Sequence, residues 1–107
     1  MLKSGSYTVG LLLVTFLLLV GCGEYEQILK SRDYPVKFEK AIDYYNAEEF
    51  VKSATLFDQV ANIYRGTTKA DTVKYYQAMS YYGQRDYILA GHYFNELATT
   101  YSSSDFV

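Results

Sequence analysis

Slid along itself, the chain matches at an offset of 37 residues without a gap, and an internal repeat of that length restricts the fold to stacked copies of one small unit. Phe38, Ala41, Ile42, Tyr44, Tyr45, Phe50, Val51, Phe57, Val60, Ala61 and Tyr64 fall on Tyr75, Ala78, Met79, Tyr81, Tyr82, Tyr87, Ile88, Phe94, Leu97, Ala98 and Tyr101. Each pair keeps its size and polarity class. Polar positions follow, with Glu49 on Asp86, Asp58 on Asn95 and Asn46 on the turn-favouring Gly83. Apolar residues within a copy recur at helical spacing, as in Phe38, Ala41, Tyr45 and then Ser53, Phe57, Val60, Tyr64. Each copy therefore predicts two helices, broken at Asn46-Ala47-Glu48-Glu49 and at Gly83-Gln84-Arg85-Asp86, polar stretches short enough to force antiparallel pairs. Period-two alternation is absent, and the single proline, Pro35, stands where it can open a helix. Arg65-Gly66-Thr67-Thr68 separates the copies, with Gly66 suited to ending a helix and Thr67 or Thr68 to capping the next. The expected fold is all-α: two helical hairpins, four helices, over residues 35–66 and 67–103.

The N-terminus has a different character. Lys3 precedes a run from Val9 to Val20 that is apolar apart from Thr15 and ends at Gly21, immediately before Cys22. These are the parts of a secretory signal covering residues 1–21. An apolar helix of about 12 residues is roughly 18 Å long, well short of the roughly 30 Å hydrocarbon core, so cleavage is favoured over spanning. Leu19-Val20-Gly21-Cys22 resembles the bacterial lipobox. That resemblance implies a lipidated Cys22 as the first residue of the mature chain, held stably once it carries more than one acyl chain. Gly23 in the following position, rather than Asp, implies the outer membrane by the same resemblance; Gly23 does not fix the face, and the periplasmic side is the expectation. Residues 22–34 then form a linker, with Gly23 to Asp33 as a flexible tether reaching at most about 3.5 Å per residue. Cys22 is the only cysteine, so the folded part must be stabilised by packing rather than by disulfides.

Composition excludes several functions. The formal net charge is −2, and removal of residues 1–21 takes away Lys3 and no acid. No basic cluster occurs, which argues against nucleic acid and against electrostatic binding to anionic lipid. His92 is the one histidine. With Gly91 and Tyr93 beside it, it has no acid or thiol neighbour in sequence, so neither a triad nor a metal site is expected. Glu24, Glu26, Glu48 and Glu49 read as solvated linker and turn. Ser102-Ser103-Ser104 reads as loop. No phosphate-binding glycine loop occurs, and no cofactor or enzymatic activity is expected.

The hairpins resemble tetratricopeptide repeats, whose signature is a small residue, an aromatic three later, and then a small residue, an aromatic and an aliphatic. Ala41, Tyr44, Ser53, Phe57 and Val60 supply it in the first copy; Ala78, Tyr81, Ala90, Phe94 and Leu97 supply it in the second. Lys37 and Lys74 replace the family's early aromatic, and its closing proline is missing after Tyr64 and Tyr101. A lipobox followed by such repeats is similar to the BamD family of outer-membrane lipoproteins. The wording is carried by Lys37-Phe38-Glu39-Lys40-Ala41 with Phe50 and Phe57, and by Ala78-Met79-Ser80-Tyr81-Tyr82-Gly83-Gln84-Arg85-Asp86-Tyr87. The resemblance implies five repeats, with residues 104–107 opening a third. It also implies a scaffold in the β-barrel assembly (BAM) complex, with a BamA-like subunit, other assembly lipoproteins and unfolded outer-membrane proteins as partners.

If Ala41, Tyr44, Ala78 and Tyr81 face their partner helices, then Phe38, Ile42, Tyr45, Tyr75, Met79 and Tyr82 form the neighbouring stripe, on the concave face. Apolar and aromatic, it is either a peptide-binding surface or the inter-repeat core. A SusD-type glycan-binding lipoprotein is a second reading, disfavoured by short connections and the lack of tryptophan. A periplasmic repeat adaptor for cell-wall enzymes is a third. Replacing Cys22 with Ser is expected to move the protein from the membrane to the soluble fraction; an unchanged membrane fraction would refute the anchor.

Overall fold

A computed structural model describes residues 23–101 and 103–106. The expected signal peptide and Cys22 lie outside the described residues. Among those described, all regular structure is helical. The chain divides into a unit up to Ser31 and a unit from Arg32 onward.

In the first unit, residues 23–30 form a helix, α1, closed by a hydrogen bond from the Ser31 N–H to the Ile28 carbonyl (3.1 Å). This corrects the expectation of a flexible tether. Glu24, Glu26, Gln27, Leu29 and Lys30 are good helix formers, and neither glycine nor proline interrupts the run after Gly23.

The second unit contains α2 (Tyr34–Asn46), α3 (Phe50–Tyr64), α4 (Ala70–Gly83) and α5 (Tyr87–Thr100). Asp33 caps α2 by accepting from the Val36 N–H, and Pro35 lies in the first turn, where its missing donor costs nothing. Asp86 caps α5 by accepting from the Leu89 N–H (3.2 Å). Gly66 follows the last residues of α3 with φ +79°, as expected of a helix-ending glycine. The cap of α4 differs from expectation. Lys69 holds the N-cap position without a side-chain bond, while Thr67 turns back to donate to the Tyr64 carbonyl (2.6 Å) and accepts from the Lys69 N–H (3.3 Å).

The repeat extends to individual backbone bonds. At the end of α2, Glu48 donates to Tyr45 and Glu49 to Tyr44; at the end of α4, 37 residues on, Arg85 donates to Tyr82 and Asp86 to Tyr81. Both ends are Schellman turns. Each places a non-glycine residue in the left-handed region, Glu48 at φ 61° and Arg85 at φ 64°. The connection after α3 recurs too. Ser104 donates its N–H to Tyr101 as Thr67 does to Tyr64, and Ser104 Oγ accepts from the Phe106 N–H (3.2 Å).

Helices α3 and α4 meet along a row of contacts that rises in number on one as it falls on the other, so they run antiparallel. Phe50 lies against Gly83, where an added Cβ would come within 2.5 Å of the ring. Ser53 Oγ and Ser80 Oγ are 2.8 Å apart and both residues are fully buried. The Phe57 and Tyr76 rings stack at 5.7 Å. Around this joint Ala41, Leu56, Phe57, Val60 and Ala78 are completely buried. Small residues let the backbones close together, and the large ones fill what remains.

Gly83 has a different role from that expected of it. It ends α4 in helical conformation and is required by the Phe50 ring, while the left-handed turn residue is Arg85. Two neighbouring substitutions should therefore act in opposite directions. Gly83→Ala is expected to cost about 1–3 kcal/mol through overpacking. Arg85→Gly is expected to stabilise by about 1 kcal/mol by relieving a left-handed side chain. Thermal denaturation measures both, at about 4–8 °C per kcal/mol for a unit of this size.

Candidate functional site

The six residues expected to form one aromatic stripe have different surroundings. Phe38 meets Phe57 and Tyr64 edge-on at 6.2 and 5.6 Å, with the Lys69 ammonium 5.2 Å from its ring centre. Tyr45 meets Phe50 at 5.6 Å and Tyr76 at 5.1 Å, so it bridges α2, α3 and α4. Burial, reinforced by the Tyr75 and Tyr76 hydroxyls, raises the Tyr45 pKa above the ordinary phenol value. Phe38 thus packs within the first hairpin, on α3, whereas Tyr45 takes part in the packing between the hairpins. Ile42 and Met79 are half-buried. Tyr75 stacks on Phe106 at 4.4 Å. Tyr82 is 54% exposed and touches Tyr87 edge-on at 5.5 Å.

The repeat explains the difference between Tyr45 and Tyr82. In the first copy, α4 covers Tyr45 and Phe50; in the second, the equivalent Tyr82 and Tyr87 stand exposed, together with Ile88 and Leu89. Tyr82 and Tyr87 thus form an exposed aromatic pair where α4 turns into α5. Tyr76, at the centre of the aromatic cluster, was missed by sequence reasoning because its counterpart in the first copy is Glu39. Its spacing with Val73, Ser80 and Gly83 along one line of α4 was the available signal.

A second feature lies on another side of α4. A cleft of about 450 Å³ has α3, α4 and α5 as its walls, with Asp58, Arg65, Lys74, Gln77, His92, Tyr93 and Glu96 among its lining residues. Asp58 accepts from Gln77 Nε2 (2.6 Å) and from the Tyr81 hydroxyl (2.5 Å). Burial first, and then this bond to a carboxylate, pushes the Tyr81 pKa strongly upward. Burial also raises Tyr93, with Asp58 and Glu96 adding to it. Glu96 is held by Lys74 at 2.8 Å and by His92 at 3.2 Å. The bond from Lys74 is the main reason its carboxyl lies below the usual range. His92 thus has an acid partner one helical turn away, contrary to the reading from its immediate neighbours.

Among the described residues, no group of three His, Cys, Asp or Glu side chains is placed to hold a metal, and no helix is long and apolar enough to cross a membrane. Comparison with known protein families, curated proteins and solved structures finds no match to the chain.

Because Glu96 has a depressed pKa in the folded state, its contribution to stability is present above the ordinary carboxyl value of 4.5. It is lost as pH falls through the lower folded value. Glu96→Gln should therefore lower the melting temperature at about pH 7, and the difference should shrink as the pH falls below the ordinary carboxyl value, a convergence that paired thermal melts would show.

Proposed function

We propose that the protein is a lipid-anchored tetratricopeptide scaffold of the outer-membrane β-barrel assembly complex, resembling the BamD family, and that it binds partner subunits and unfolded outer-membrane proteins. The observation that carries this reading is the 37-residue repeat, whose hairpin ends agree hydrogen bond for hydrogen bond. Repeats of this size act as stacked binding modules rather than as enzymes. Support also comes from the exposed aromatic patch on the second copy, where Tyr82 and Tyr87 offer both ring faces and hydroxyls to an extended peptide. The recurrence of the Tyr64–Lys69 connection at Tyr101–Phe106 agrees with residues 104–107 opening a third repeat. In this reading Cys22 carries the lipid, the periplasmic face of the outer membrane is the location, and no cofactor is used.

Affinity purification of the full-length gene product from detergent-solubilised membranes tests the assignment. Co-purification of the central BamA-like subunit is expected. Recovery of a glycan transporter or a cell-wall enzyme instead would favour the SusD-type or adaptor reading. The stripe is tested separately. Tyr82→Ala should weaken capture of an unfolded outer-membrane protein by roughly tenfold, as for an interface anchor, with little change in melting temperature. Tyr45→Ala, by contrast, should lower the melting temperature by removing a ring shared among three helices, at a cost of about 3 kcal/mol.

A further inference from the structure

Helix α5 carries a line of residues whose counterpart on α3 is covered. Tyr87, Gly91, Phe94 and Ala98 recur at steps of four, three and four, so they run along one side of the helix with large and small residues alternating. The equivalent line on α3 is Phe50, Ala54, Phe57 and Ala61. There α4 lies over it, with Gly83 against the Phe50 ring and Tyr76 stacked on Phe57, and Ala54 is only 2% exposed. On α5, Tyr87 is 60% exposed, Gly91 and Ala98 are exposed and Phe94 is half-buried. A Cβ added at Gly91 would meet nothing within 4 Å.

The α3–α4 joint keeps one register. Phe50 meets Gly83, Ser53 meets Ser80 and Phe57 meets Tyr76, and the two numbers of each pair add to the same total. On α5, Tyr87 with Ala98 and Gly91 with Phe94 also share one total. A single antiparallel register of two α5 helices therefore sets every ring of one against a small residue of the other, as the Phe50 ring sits against Gly83. The differences between α5 and α3 favour this occupant over a helix like α4. Where α3 has Asp58, which accepts from Gln77 and Tyr81 of α4, α5 has Asn95, so no carboxylate on this line faces its own image. In the same register Glu96 and His92 fall opposite Leu89 and Tyr93 rather than like charges. Gly91 replaces Ala54, although alanine is compatible with a covering α4; glycine inside a helix is unfavourable relative to alanine, and a facing Phe94 ring supplies a reason for it. The outer side of α2 does not suit α5, because Glu39, Asp43 and Asn46 stand where α4 has Tyr76, Ser80 and Gly83 and are exposed. Head-to-tail stacking is thereby disfavoured, and a closed two-fold pair remains. We propose that two copies of the chain associate through antiparallel α5 helices, Tyr87 of each on Ala98 of the other and Phe94 of each on Gly91 of the other.

The contact uses Tyr87 but neither Tyr82 nor the concave face, so its failure leaves the assembly-complex reading standing. The test is sedimentation equilibrium of the full-length gene product in neutrally buoyant detergent, across roughly two decades of concentration. A reversible equilibrium between monomer and dimer is expected. Gly91→Gln should weaken it about tenfold or more, because a side chain there displaces the facing ring, while the melting temperature of the monomer is not lowered, the space at Gly91 being open. Val51→Gln, at an exposed position of α3, should leave the dimer as it is. A second measurement does not depend on Gly91. Tyr87→Cys and Ala98→Cys in one chain lie about 16 Å apart along the helix and cannot bridge within it, so oxidation should link two chains far more efficiently than with either substitution alone. Monomer at every concentration, whether α5 stays bare or another helix covers it, would overturn the proposal. So would a dimer that Gly91→Gln leaves intact or Val51→Gln breaks, or paired cysteine substitutions that cross-link no better than single ones.

Discussion

The close approach of α4 to α3 is the constraint on which the rest of the folded unit depends. It requires glycine at 83 because the Phe50 ring occupies the space of a Cβ. It requires small polar residues at 53 and 80, whose hydroxyls bond to each other with no exposure to solvent. A hydroxyl has one proton, so when Ser53 donates to the Phe50 carbonyl (3.1 Å), Ser80 donates to Ser53, and both are satisfied in a space that admits no water. With the backbones this near, Tyr76 stacks on Phe57 and reaches Tyr45, tying the second hairpin to both helices of the first. The same approach brings Gln77 and Tyr81 to Asp58. Both the aromatic surface and the polar cleft therefore inherit their geometry from one joint.

The hairpin turns show how much backbone strain a repeat tolerates to keep its register. A left-handed Glu48 and Arg85 are each less favourable than glycine would be, yet both turns keep the same pair of hydrogen bonds. Satisfying the last carbonyls of a helix outweighs the local penalty. In the second copy glycine instead stands two residues earlier, at Gly83, where the need is steric.

Much of the architecture was legible in the sequence because the repeat reports what both copies share. The two helices of each copy, the short connections, the opening proline and the small residues Ala41 and Ala78 were readable in the sequence, whereas the start of α4 at Ala70 lies beyond the Thr67 or Thr68 cap it suggests. What the match could not show is what the copies do not share. Tyr76 opposes Glu39 and was passed over, although it holds the aromatic cluster together. Gln77, His92 and Glu96 differ from Lys40, Thr55 and Gln59, and their convergence became visible only when α5 was folded against α4. The role of Gly83 was misread for a related reason: the ring that demands it is on another helix, 33 positions away in sequence. Helix α1 was missed because a polar segment without repeats resembles a linker, whereas its residues individually favour helix.

Native-state hydrogen exchange of the two-hairpin unit tests the role of the α3–α4 joint most directly. If the joint unites the hairpins, the slowest amides of α3 and α4 should open together, with one free energy and one dependence on denaturant. If α4 and α5 open at distinctly lower free energy while α2 and α3 stay protected, the hairpins are independent modules and the joint does not carry the structure.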